Sequence, residues 1–207
     1  MLMSARSILI ASRNRGKIEE IKATLDLPGI IFEIRPDLPD VVEDGHDFFE
    51  NALKKARACS QWSGLPALAD DSGLEVDALD GAPGIYSARF SGPVKNDQAN
   101  NEKLLRMMDG VPPGKRGAAF RAVIILYFPS GEWIRGEGIC RGVILDSPRG
   151  ENGFGYDPLF FLPQLHRTMA ELSPDRKNTL SHRALALADL REKMLSPEFS
   201  HLLHFTP

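Results

Sequence analysis

Cysteine is scarce in this chain: Cys59 and Cys140 stand far apart, with no Cys-x-x-Cys spacing. A disulfide framework and a cysteine-based zinc site are therefore excluded, and a reducing compartment is the expected home. Long apolar runs are missing as well. The stretch at residues 8–11 is too brief for a secretory h-region and is followed at once by Arg13, Asn14 and Arg15. No other run approaches bilayer-spanning length, so no membrane partner is expected. Charge of one sign is also lacking, with 25 basic against 28 acidic residues and a formal charge of -3. Non-specific duplex binding needs a broad basic field, so nucleic acid is not an expected partner. Repeats and low-complexity segments are absent too. What is present, 43% hydrophobic content over 207 residues, suits one large domain over residues 1–207, or one domain with a subsidiary lobe. The expectation is a cytoplasmic globular enzyme or binding domain.

The pattern along the chain alternates strands and helices. Residues 7–11 read as a short strand, and a Gly-bearing loop then leads into a helix carrying Ile18, Ile21 and Leu25 at helical spacing. A second strand at 30–34 precedes a Pro- and acid-rich loop at 35–45. Asp47 and Glu50 have capping-box spacing ahead of a helix with Phe49, Ala52, Leu53 and Ala56 on one face. A buried strand is expected to end at Asp70 and Asp71, with a separate strand at 74–79 and a tight Gly/Pro loop beyond it. A helix is expected at 97–108. Two long strands at 118–128 and 132–145, joined at Pro129-Ser130-Gly131, suggest a hairpin forming an antiparallel lobe. The last third carries an aromatic and Gly loop at 153–161, a polar stretch at 173–181, and a helix from His182 capped by Ser181.

Four constellations carry chemistry. Ser12-Arg13-Asn14-Arg15-Gly16-Lys17 puts a hydroxyl, an amide and a Lys at a helix N-terminus, where free N–H groups and the helix dipole favour phosphate. The Walker A spacing is absent, and an ordinary polar turn capping a surface helix fits the same residues. Asp70-Asp71-Ser72 supplies carboxylates suited to magnesium, which takes a few carboxylate oxygens, waters and the substrate's phosphates. Alternation along a strand puts only one of the pair on a given face, and Asp71 is taken as the site residue. Glu43 and Asp44 on the acidic loop are possible further ligands, although acid-rich loops are commonly just solvated. Gly153-Phe154-Gly155-Tyr156-Asp157-Pro158 pairs backbone freedom with a ring able to stack on a base or to fill the core. Lys177 with Ser181-His182-Arg183 forms a basic patch at another helix start.

Together these motifs resemble the inosine triphosphatase-like, noncanonical purine nucleoside triphosphate pyrophosphatases. Residues 12–17 resemble that family's opening Thr-x-Asn-x-x-Lys motif, with Ser12 for the usual Thr. FFENA at 48–52, ADDSGLEV at 69–76 and GAPGIYSARFS at 81–91 resemble its central block; residues 154–158 and 181–183 are similar to its late nucleoside-recognition motifs. The resemblance implies an elongated α/β fold with a mixed central sheet flanked by helices, two lobes enclosing a cleft, and a homodimer. It implies magnesium-dependent hydrolysis of ITP, dITP and XTP to the monophosphate and pyrophosphate. Asp71 would be the general base and a metal residue with Glu43, in a loop that reads Val42-Glu43-Asp44 where many bacterial members carry Glu-Glu; Asp40 and Asp44 are the rivals. Ser12, Asn14, Lys17 and Lys177 would hold phosphates, with Arg13, Arg15 and Gly16 in the same binding loop and Ser72 positioning the substrate. Phe154, Gly155, Tyr156 and Asp157, with His182 and Arg183, would enclose the base. Donors from that loop's backbone, His182 or Arg183 would meet the 6-keto oxygen that adenine lacks. The rival readings are a non-catalytic nucleotide sensor and a less selective nucleotide pyrophosphatase.

Overall fold

The computed structural model describes residues 6–27, 29–199 and 202. Seven strands form one mixed sheet: β1 (Arg6–Ile10), β2 (Ile30–Glu33), β3 (Ala67–Val76), β4 (Gly117–Tyr127), β5 (Trp133–Ile144), β6 (Phe160–Leu162) and β7 (Arg167–Thr168). Their order is β2-β1-β3-β4-β5-β6-β7, with β1 parallel to β2 and β3, and β6 antiparallel to β5 and β7. Among the described residues α-helices accompany it at α1 (Arg15–Thr24), α2 (Phe48–Ser63), α3 (Asp97–Met107), α4 (Pro174–Leu180) and α5 (His182–Met194). The expected mixed α/β class is what the chain adopts.

The chain divides into two compact units. The first comprises Met1–Asp71, Ala122–Gly138 and Arg183–Pro207; the second comprises Ser72–Arg121 and Ile139–His182. In the first unit, period-2 alternation sends Ile8, Ile10 and Leu68 to one face, where they pack with Ile21 of α1, with Leu25 just past its end, and with Ala186, Leu187 and Leu190 of α5. Leu9, Ala67 and Ala69, also fully buried, belong to the opposite face. Helix α2 lies against β1 and buries the small Ala52 and Ala56. The second unit has its own core of Leu74, Val76, Leu104, Phe120, Tyr156, Phe160 and Met169.

Helix α2 starts where capping chemistry places it. Asp47 Oδ1 accepts from the Glu50 N–H at 2.8 Å, and Glu50 Oε2 reaches back to the N–H of His46 at 2.9 Å, one residue earlier than a full capping box requires. It ends at Gly64, whose left-handed φ of 71° lets its N–H close on the Ser60 carbonyl.

Three expectations are corrected. Strand β3 does not stop at Asp70 and Asp71 but runs through Ser72 and Gly73 to Val76, so the separate strand at 74–79 is the second half of one ten-residue strand. Strands β4 and β5 do turn at residues 129–131, where the Phe128 N–H bonds the Glu132 carbonyl, but they lie inside the seven-stranded sheet and form no separate lobe. The polar stretch at 173–181 holds α4, started by Ser173, whose side chain accepts from the Arg176 N–H, and by Pro174 in the first turn.

Candidate active site

The first unit gathers charge around the middle of β3. Asp70 shares the face of Leu68 and meets α1 and α5: Lys17 Nζ pairs with its Oδ1, and Arg183 Nε donates to its Oδ2 at 2.8 Å. Arg183 also pairs with Glu20 of α1. Burial pushes the Asp70 carboxyl up, but Arg183 and Lys17 outweigh it and hold the group well below the usual carboxylate range. Burial lowers the Lys17 ammonium, Asp70 opposes that, and the cations of Arg183 and Lys55 add to the lowering.

Asp71 lies on the other face. Its Oδ1 accepts from Lys55 Nζ of α2 at 3.1 Å, and the same ammonium reaches Glu43 Oε1 at 3.3 Å and the Asp70 carbonyl at 2.9 Å. Asp71 Oδ2 is buried and has no hydrogen-bond partner. Burial raises the Asp71 carboxyl, Lys55 and Lys17 pull it down, and Glu43 adds to the rise, which leaves it above its ordinary value. The acidic loop is set by Gly45, whose N–H bonds Asn51 Oδ1 at 2.8 Å; a Cβ there would come within 2.7 Å of the same oxygen. Of the three candidate loop carboxylates, Glu43 shares Lys55 with Asp71, whereas Asp40 pairs with Arg13 and Asp44 with Lys54, both exposed.

The opening loop works largely on itself. Ser12 Oγ accepts from the Asn14 N–H at 3.1 Å, and Asn14 caps α1 by accepting from the Lys17 N–H at 3.3 Å. Gly16 lies in the first turn. Arg15 points to solvent and pairs with Glu19 one turn on.

The second unit organises the aromatic loop. Lys177 Nζ meets Asp157 Oδ2 at 2.5 Å and sits 4.6 Å from the centre of the half-buried Phe154 ring. The Phe154 N–H donates to the same Asp157 oxygen at 3.0 Å. Gly153 is obligatory, since its φ is 77° and a Cβ would fall 2.0 Å from Asp157 Oδ2. The Gly155 N–H donates to Asp97 Oδ2 at 2.8 Å, and Asn101 Nδ2 donates to the Gly155 carbonyl at 2.9 Å. His182 is buried and stacked on Phe120, with centroids 4.8 Å apart and an interplanar angle of 13°. Tyr156 is core: its ring is buried and its OH donates to the Ser87 carbonyl at 2.9 Å. Ser72, half-buried, follows Asp71 on β3.

Thus Lys17, Asp70 and Arg183 come together, as do Asp71 and Glu43, and Phe154, Asp157 and Lys177. Lys177 of α4, expected at phosphates, sits against the aromatic loop, and Arg183, expected at the base, is bound to two carboxylates. The sequence reading missed Glu20, Lys55, Asp97, Asn101 and Phe120. Lys55 alone left a trace, as a charge beside Ala52 and Ala56 on a buried helix face.

The sequence profile of the Ham1 family matches residues 8–193. A dITP/XTP pyrophosphatase of Geobacter sulfurreducens is 54% identical over 190 residues, covering 90% of this chain and 96% of that protein. One of Desulforamulus reducens is 49% identical over 188 residues, covering 89% and 94%. Among solved structures, the Ham1 protein of Staphylococcus aureus superposes with a TM-score of 0.82 at 43% identity, covering 91% of this chain and 98% of that one. A HAM1 protein from Coxiella burnetii gives 0.83 at 40% identity with the same coverage. With the family profile spanning residues 8–193 and these relatives each covering about nine-tenths of it, the chain belongs to the Ham1 family.

Proposed function

We infer that this protein hydrolyses noncanonical purine nucleoside triphosphates, namely ITP, dITP and XTP, to the nucleoside monophosphate and pyrophosphate. The observation that carries the reading is Asp71, with one oxygen on the Lys55 ammonium beside Glu43 and the other buried without a partner. The names of the matched relatives, dITP/XTP pyrophosphatases, support the same chemistry.

Among the described residues no group of three or more His, Cys, Asp or Glu side chains is placed to hold a metal. Magnesium does not require one, because it commonly takes one or two carboxylates and completes its shell with waters and substrate phosphates. The unpartnered Asp71 oxygen and Glu43 fit that demand, so these two would hold it. When bound, the ion supplies charge neutralisation on phosphate oxygens and a water that ionises more readily.

The chain's own residues do the rest. Asp71 orients a water toward the α-phosphorus and takes its proton as the new P–O bond forms and the bond to the β-phosphate breaks. Lys17 and Lys55 offset charge gathering on the departing pyrophosphate. Ser12 and Asn14 shape the start of α1, whose first N–H groups, at Arg15 and Gly16, have no intrahelical acceptor and suit a phosphate. Ser72 positions the substrate next to the base. Phe154 offers a stacking face, and the keto oxygen falls to side-chain donors. The N–H groups of Phe154, Gly155 and Asp157 already bond Asp157 Oδ2, Asp97 Oδ2 and the Phe154 carbonyl, and Arg183 is engaged with Asp70 and Glu20. His182 and Lys177 bring side-chain N–H groups to the same motifs, Lys177 while held by Asp157.

The test is product analysis with ITP, XTP, GTP and ATP, with and without magnesium. Magnesium-dependent pyrophosphate release, fast for ITP and XTP and slow for ATP, is the expected result; orthophosphate release or indifference to the base would overturn it. A homodimer, a cytoplasmic location and no role for nucleic acid belong to the same reading. Light scattering should return twice the chain mass. Among the described residues no helix is long and apolar enough to cross a membrane.

A further inference from the structure

Helix α3 grips one residue of the aromatic loop on both sides. Asp97 accepts the Gly155 N–H at 2.8 Å, and one turn later Asn101 donates to the Gly155 carbonyl at 2.9 Å. Positions i and i+4 share a helix face, so two side chains pin the two peptide groups that flank a left-handed Cα with φ 62°. The helix is itself anchored. Asn100 donates to the Ser87 and Ala88 carbonyls at 3.3 and 3.2 Å and accepts from the Ser91 N–H at 2.7 Å, while Tyr156 OH bonds the same Ser87 carbonyl.

This grip has a cost in stability. Asn101 Oδ1 is buried without a partner, an arrangement that destabilises a fold and that an apolar side chain of similar size would avoid. The benefit lies in the loop. The Phe154 N–H and Lys177 Nζ both meet Asp157 Oδ2, and Lys177 lies under the Phe154 ring, so any shift at Gly155 moves ring, ammonium and carboxylate together.

We infer that Asp97 and Asn101 are specificity-positioning residues for the purine base: by clamping the Gly155 backbone they set where the Phe154 ring and the Lys177 ammonium stand. This rests on the reading that residues 154–157, Lys177 and His182 receive the base. Discrimination by a donor that one base satisfies and another leaves unpaired depends on that placement, because hydrogen bonds weaken steeply with misalignment.

The experiment compares Asn101→Leu, Asp97→Ala and Asp97→Asn with the parent in pyrophosphate release from ITP and ATP, alongside thermal denaturation. Asn101→Leu should keep the parent Tm and lower the ITP-over-ATP ratio of kcat/KM by about tenfold, chiefly through a higher KM for ITP. Asp97→Ala should do the same. Asp97→Asn keeps an acceptor oxygen in place and should return the ratio to within about twofold of the parent. An unchanged ratio in Asn101→Leu, or losses that follow Tm equally for both substrates, would overturn the inference. If Asp97→Ala does not fold, Asn101→Leu decides alone. A parent that itself fails to separate ITP from ATP would defeat the base-loop reading instead.

Discussion

The two faces of β3 carry adjacent carboxylates with opposite fates. Asp70 is closed off: Lys17 and Arg183 take both its oxygens, and Arg183 is tied down further by Glu20. Asp71 is open, sharing one cation with Glu43 and leaving an oxygen unpartnered. Burial raises both carboxyls, yet at Asp70 two cations win and at Asp71 burial wins. A step of one residue along a strand thus separates a carboxyl held well below its ordinary value from one raised above it, because alternation hands the two side chains to different helices. One carboxylate is taken up by two cations, and the next keeps an oxygen unpartnered.

The largest effect should come from changing Asp71. Asp71→Asn should lower kcat for ITP by about 10²–10⁴-fold, read by pyrophosphate release, while binding of ITP survives. Its stability at pH 7 should match or exceed the parent's, because a carboxyl raised by folding opposes folding when ionised. Asp70→Asn should instead unfold the protein more readily, by about 3–5 kcal/mol in urea denaturation, since it leaves Lys17 and Arg183 buried against one another. Equal stability losses from the two variants would erase the contrast.

Lowering the pH sharpens it. The stabilisation from Asp70, whose folded value is depressed, is whole above the unfolded carboxylate value of about 3.9 and is lost as pH falls below that toward the folded value. The penalty from Asp71, whose folded value is raised, is relieved as pH falls through that value. Denaturation midpoints should therefore show the parent gaining on Asp71→Asn from pH 7 toward 4, while its lead over Asp70→Asn holds until below about 4. Lys55→Met should cost roughly tenfold in kcat and move the acid limb of the pH–rate profile upward, because the cation that restrains the Asp71 carboxyl is gone. Smallest of all, Arg15→Ala should leave kcat/KM within about twofold, its exposed pair with Glu19 lying away from the chemistry.

What could be read in advance was local. Alternation separated Asp70 from Asp71, capping chemistry placed Asp47, and Pro129-Ser130-Gly131 marked a hairpin. The continuity of β3 could not be read, because Ser72 and Gly73 are turn formers that interior sheet pairing holds extended. Helix α4 was legible and overlooked: Ser173-Pro174 is a start signal even in a polar stretch. The pair between Glu20 and Arg183 spans 163 residues, and no local pattern links positions that topology alone brings together. For the same reason the commitment of Arg183 to carboxylates, and of Lys177 to Asp157, had to be seen in three dimensions.

That long span bears on how the molecule is made. Translation delivers Lys17, Glu20 and Asp70 early, whereas Arg183 emerges more than a hundred residues after Asp70, on α5. The nascent chain can extend the sheet but cannot balance the charge at its centre, because the guanidinium that two carboxylates require has not yet been synthesised. Closing the first unit therefore waits on α5, whose docking brings the missing guanidinium to Asp70 and Glu20.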